Sequence, residues 1–182
     1  MNTFELLKSD LFRQAGNVSI GKFILFFLIN HGYRFLVYFR LVQSGSLILK
    51  VFRIPLYLTK KKYGIEISLS AKIGSGLNLQ HPFNITLNSK CILGNNVTIY
   101  KNATIGSEMR GERKGVPTIG NNVYIGLNSV IVGSVTIGDN VLIAPNAFVN
   151  FDVPANAIVL PGRAIIIKKE NATDGYLKNR YE

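Results

Sequence analysis

From Ile67 onward an aliphatic residue returns at every sixth position: Ile67, Ile73 and Leu79, then Leu87, Leu93, Ile99 and Ile105, then Ile119, Ile125, Ile131, Ile137, Ile143 and Val149. Few folds tolerate so short a fixed period. A sandwich with regular turns would show alternation over longer strands and no six-residue phase. Four residues after many of these positions comes a second small or β-branched residue, as at Ala71, Cys91, Val97, Ala103, Val123 and Val135. Glycine followed by Asn or Asp-Asn then marks the corners, as in Leu93-Gly94-Asn95-Asn96-Val97 and Ile137-Gly138-Asp139-Asn140-Val141, residues that accept tight turns and positive φ. Each hexad is therefore a strand and a corner, and three hexads make a triangular coil of about 18 residues whose backbone groups pair with the coils above and below. The spacing predicts a left-handed parallel β-helix over residues 63–167, with a short tail at 168–182.

The phase breaks twice, by two residues between Leu79 and Leu87 and by a longer insertion between Ile105 and Ile119. Insertions in a solenoid become loops, often on the binding face. The segment 107–118 is polar and basic, and Arg110, Arg113 and Lys114 are placed there to meet phosphates, in a loop able to close over a neighbouring subunit's groove.

Residues 1–62 lack the repeat and carry a helix-like apolar spacing, notably at Phe23, Phe26, Phe27 and Tyr33 and on through Leu36 and Val37, with Asn30 and Arg40 falling on the same phase, which predicts an N-terminal α-helical cap. Ten lysines and arginines against Glu5 and Asp10 concentrate here much of the chain's net charge of +11. The apolar stripe is expected to cover the open end of the coils, as solenoids require, and the basic face to suit peripheral docking on an anionic membrane surface; the two are compatible. The longest charge-free apolar run, Phe23 to Tyr33, is too short to span a bilayer. No nucleic-acid module accompanies the charge. A single cysteine excludes an intrachain disulfide framework, and the start of the chain lacks a secretory signal pattern, so a cytoplasmic setting is expected, at most at the inner face of the membrane.

Of two histidines, His31 falls in the apolar cap and His81 in the first phase break, in Leu79-Gln80-His81-Pro82-Phe83-Asn84. Imidazole is the side-chain type that exchanges a proton near neutral pH, and a bulged corner lets it protrude, so His81 is the candidate general base for a hydroxyl. Counting back one coil leads to within three residues of Glu66, a carboxylate placed to orient the imidazole. Cys91 takes an inward position between Leu87 and Leu93, where a thiol is a small hydrophobe rather than a nucleophile, which favours direct transfer over a covalent cysteine intermediate. No metal-ligand cluster is evident.

Gly64-Ile65-Glu66-Ile67, Ala71-Lys72-Ile73-Gly74-Ser75-Gly76-Leu77, His81 and Ile92-Leu93-Gly94-Asn95-Asn96-Val97-Thr98-Ile99-Tyr100 resemble the serine O-acetyltransferases and related polysaccharide O-acetyltransferases. Lys114-Gly115-Val116-Pro117-Thr118-Ile119-Gly120 and the Asp152-Val153-Pro154 ending extend that resemblance over most of residues 64–160. It implies acetyl-CoA as co-substrate, a homotrimer, His81 as catalytic base and Glu66 as its acidic partner. Gly126 and Ala144 join Arg110, Arg113 and Lys114 as expected CoA-binding positions, and Arg163 and Lys168 are the basic residues near the last coil, where the family's usual ending is replaced by Leu160-Pro161-Gly162-Arg163-Ala164. Serine acetyltransferases carry a second active-site histidine before the proline, where this chain has Val116, and an aspartate before the catalytic histidine, where it has Gln80. Those two departures lead to the expectation of a sugar hydroxyl in capsule, exopolysaccharide or lipopolysaccharide as acceptor. A serine acetyltransferase of cysteine biosynthesis is the alternative, and a non-catalytic trimeric scaffold the reading from another class.

Overall fold

The computed structural model describes residues 1–162. Four helices come first. Asn2 accepts from the Glu5 amide at 2.9 Å to start α1 (Thr3–Ala15), which ends where Gly16 takes a left-handed φ of 73°. Ser19 caps α2 (Ile20–Ile29), and Asn30 closes α2 while its side chain accepts from the Tyr33 amide to open α3 (His31–Gln43). The single helical phase read through Phe23 to Arg40 is thus two helices meeting at 108°. Asn30, which fits the periodicity, acts as a cap because its side chain competes with the helical backbone for hydrogen bonds. A 3-10 turn at Ile48–Phe52 leads into α4 (Arg53–Tyr63).

The coils follow as a left-handed parallel β-helix. Its first coil is β1 (Glu66–Ile67), β2 (Lys72–Ile73) and β3 (Asn78–Gln80). The second is β4 (Thr86–Leu87), β5 (Ile92–Leu93) and β6 (Thr98–Tyr100). The third is β7 (Thr104–Gly106), β8 (Thr118–Ile119) and β9 (Tyr124–Ile125), and the fourth β10 (Val130–Val132), β11 (Thr136–Ile137) and β12 (Leu142–Ile143). The fifth holds β13 (Phe148–Val149) and β14 (Ile158–Val159). They stack into three parallel sheets of five, four and five strands.

The hexad residues form vertical columns. On the first sheet Ile67, Leu87, Ile105, Ile131 and Val149 stand in register and are at most 2% exposed. Burying each such side chain contributes roughly 1.5–3 kcal/mol before the entropy of ordering is counted. Asparagines in the left-handed region turn the corners, and their side chains bond upward from coil to coil: Asn84 to Asn102 at 3.3 Å, Asn102 to Asn128 at 2.9 Å, Asn128 to Asn146 at 3.1 Å. The amides thereby satisfy one another at the bends where the strand ladder is interrupted.

The cap is joined to the coils by a buried ion pair. Arg40 on α3 meets Asp10 on α1 at 3.0 Å, both side chains fully excluded from solvent. Arg40 also donates to the carbonyls of Ile73 and Gly74, and Asp10 accepts from the Leu77 amide at 2.8 Å. Burial pushes the Asp10 carboxyl above its ordinary range, and the Arg40 guanidinium and the backbone amides pull against that push. Phe35, Leu36 and Phe39 of α3 complete the seal by joining the same apolar cluster as the coil columns.

Candidate active site

The coil that begins at β1 is 20 residues long rather than 18, and the surplus lies between β3 and β4. His81 and Asn84 take φ of 48° and 52° there, and the Phe83 amide bonds the His81 carbonyl at 2.7 Å. A left-handed conformation at a non-glycine residue is uncommon outside asparagine, and here it turns the imidazole outward at an exposed corner. The ring lies 6.3 Å from that of Tyr100 on the next coil, and the Tyr100 and Tyr124 rings are 5.2 Å apart. Burial first, and the neighbouring Tyr100 hydroxyl second, push the Tyr124 hydroxyl up to about 12. This aromatic column on the outer face of the third sheet was missed in the sequence, although outward tyrosines on hexads one coil apart are its signal.

Glu66 lies at the start of the same coil. It is exposed on β1, in register with Thr86, and opens on a groove of about 450 Å³ that Arg53, Lys60 and Lys61 also line. Among the described residues, no hydrogen bond and no ion pair within 4.0 Å joins Glu66 to His81. The structure brings the two to one edge of the helix, where the third sheet turns into the first, without contact.

The insertion is a hairpin closed by Glu108 and Gly115, which exchange hydrogen bonds at 3.0 Å. The Glu108 carboxylate holds the Met109 and Arg110 amides. Arg113 forms an ion pair at 2.7 Å with Asp152 of the chain's own fifth coil, and Arg110 and Lys114 point into solvent. Gly126 and Ala144 follow the third-sheet strands of successive coils, and their amides bond the Ile143 and Val159 carbonyls. A side chain at Gly126 would meet the Pro145 backbone nitrogen at 2.6 Å, so coil stacking accounts for that glycine. Arg163 and Lys168, with the tail at 168–182, lie outside the described residues. An open groove of about 430 Å³ runs over Tyr124, Leu142 and Ile158, edged by Asn122, Asn140 and Asn156.

Three further residues have defined places. Gln80 pairs in register with Tyr100. Val116, where the serine acetyltransferases have histidine, packs against the main core. Cys91 is wholly buried and its thiol is pushed up to about 11 by that burial, which makes it a poor nucleophile. His31 stacks on Tyr63 at 4.8 Å and its Nδ1 lies 2.7 Å from Arg34, while Tyr63 in turn packs edge-on to Phe83 of the His81 corner at 5.2 Å.

Residues 117–150 match the family described as bacterial transferase hexapeptide (six repeats). A serine acetyltransferase of Helicobacter pylori is 36% identical over 107 residues, covering 59% of this chain and 63% of the relative. The chain thus spans less than two thirds of that relative's length. Neisseria gonorrhoeae serine acetyltransferase in complex with serine superposes with a TM-score of 0.68 at 26% identity, over 90% of this chain and 68% of that one. Brucella abortus serine acetyltransferase in complex with coenzyme A does so at 0.67 and 22%, over 87% and 65%, a likeness of fold.

These relatives correct the expectation of a sugar acceptor in capsule or other surface polysaccharide, since the proteins the chain resembles are named for serine. The expectation leaned on Gln80 and Val116 alone. In the structure Val116 is partly buried against the core, and Gln80 directly precedes His81 at the end of β3.

Proposed function

We propose that the chain is an acetyl-CoA-dependent O-acetyltransferase whose acceptor is the hydroxyl of L-serine, with His81 as general base. The observation that carries this is an imidazole held outward on a bulged corner, unpaired with any carboxylate among the described residues, in a coil stack similar to serine acetyltransferases. The imidazole of His81 takes the hydroxyl proton as the oxygen attacks the thioester carbonyl. The tetrahedral intermediate collapses to the O-acetyl ester, and the departing CoA thiolate receives the proton from the imidazolium.

Glu66 is proposed to orient His81 once substrate bridges or closes the space between them. The apolar groove over Tyr124, Leu142 and Ile158 suits the pantetheine arm, and Arg110 and Lys114 are the solvent-facing cations of the insertion available to phosphates. Gln80 would meet the amino acid's charged groups with a neutral amide. A homotrimer, typical of the fold, would bring a second subunit's surface to the groove.

The test is CoA release from acetyl-CoA with L-serine beside a panel of sugars and nucleotide sugars, for wild type and His81→Ala. Serine-dependent release lost in the variant supports the proposal. Absence of serine-dependent release from a protein that binds CoA overturns it.

A further inference from the structure

The helical cap carries a surface that acetyl transfer does not use. No residue of α2 is buried, although nine of its ten residues are uncharged and most are large and apolar. Its inner side, Phe23, Phe26 and Phe27, leans on a small cluster with Leu7, Leu11 and Tyr33. Its outer side leaves Ile20, Ile24, Leu28 and Ile29 between 54% and 82% exposed. A second such stretch follows α3: Leu47, Ile48, Val51 and Ile54 are 66% to 83% exposed. The two are joined through one aromatic row, Phe27 edge-on to Tyr38 at 5.6 Å and Tyr38 stacked on Phe52 at 6.1 Å. Exposed aliphatic clusters of this extent mark an interaction surface.

The occupant is indicated by charge. Of the ten basic residues in 1–62, Arg40 is neutralised by Asp10 and Lys8 by Glu5; the others have no carboxylate within 4.0 Å among the described residues. Lys22 lies on α2, Lys50 and Arg53 within the second apolar stretch, and Lys60, Lys61 and Lys62 just beyond it. A second copy docking through the same face would set these cations against their own counterparts. An anionic lipid surface would meet both the aliphatics and the cations.

Spanning is ruled out by geometry. Ten residues of α2 make about 15 Å of helix, half a hydrocarbon core. α3, bent 108° away, has its Phe35, Leu36, Phe39 and Arg40 built into the protein. No single helix among the described residues is long and apolar enough to cross a membrane.

We infer that α2 and the 47–54 segment form a monotopic docking face, inserting aliphatics into the interface of an anionic phospholipid bilayer while Lys22, Lys50 and their neighbours meet the headgroups. The inference is independent of the acceptor. The protein should sediment with phosphatidylcholine vesicles containing phosphatidylglycerol, at least about tenfold more strongly than with phosphatidylcholine alone, and less so as salt is raised. Leu28→Asp with Ile48→Asp, and separately Lys22→Glu with Lys50→Glu, should each lower that partition on the order of tenfold or more while leaving CoA release unchanged. Equal binding to both vesicle types, no binding to either, or unchanged binding by the aspartate variant would overturn it. So would light scattering in which the wild type is a larger assembly than the aspartate variant and binds no lipid, which assigns the face to a second copy.

Discussion

Arg40 and Asp10, thirty residues apart and wholly buried, share two hydrogen bonds, and between them they hold three backbone groups of the first coil. An ion pair so placed is weak evidence of net stability, yet removing one partner strands the other charge in an apolar setting. Arg40→Met should therefore destabilise the protein by about 3–5 kcal/mol in denaturant unfolding. Hydrogen exchange should show the Leu77 amide among the groups that lose protection.

At the His81 corner the expected losses are catalytic. His81→Ala should reduce serine-dependent CoA release by about 10²–10⁴-fold, the usual range for a general base, while the melting temperature and CoA binding stay near wild type. The side chain is exposed and its removal leaves no cavity.

Glu66 is separated from His81 in this structure, so its role is best measured as a coupling. Glu66→Gln should slow CoA release in the wild type and have no further effect in the His81→Ala background, because a residue acting through the imidazole has nothing left to orient. Equal proportional losses in both backgrounds would assign Glu66 an independent role, such as closing the groove it shares with Arg53 and Lys61.

Gln80 offers a gain of function. A carboxylate in its place would make a charge-assisted hydrogen bond to the serine ammonium. Gln80→Asp should lower the KM for L-serine about tenfold with little change in kcat, read from initial rates of CoA release.

The repeat made the coils legible because its period is set by geometry: a face has one inward column, and a residue off that column meets solvent or a clash. Ile67 through Val149 fall on it almost without exception. The bulge at His81 was visible as a two-residue slip of phase. What could not be read were pairings between residues far apart in sequence with no pattern to link them. Asp10 and Arg40 look like ordinary surface charges, and Arg113, read as a phosphate contact, is held by Asp152 some 39 residues away. Glu66 shows the limit of counting by coils. One inserted corner displaces every estimate of which outward side chains meet across it.

Acid should loosen the insertion before it unfolds the coils. The Asp152 carboxyl is held below its ordinary value by the hydrogen bond from Arg113 and by the Thr136 amide. A carboxylate whose pKa is depressed on folding contributes above its unfolded pKa, here 3.8, and that contribution fades as pH falls through the lower folded value. Proteolysis within 107–118 should accordingly accelerate below about pH 4, and Asp152→Asn should show similar susceptibility already at pH 7.

Because Glu108 and Gly115 close the hairpin on themselves, β7 and β8 keep register with the strands above and below whatever lies between them. The 26-residue spacing across this coil therefore coexists with 18 on the next. Doubling a flexible loop adds only about 0.6 kcal/mol of closure cost, so this corner can be lengthened, shortened or exchanged while the scaffold keeps its register. New sequence can be carried there one loop at a time, as exchangeable cassettes on an unchanging spool.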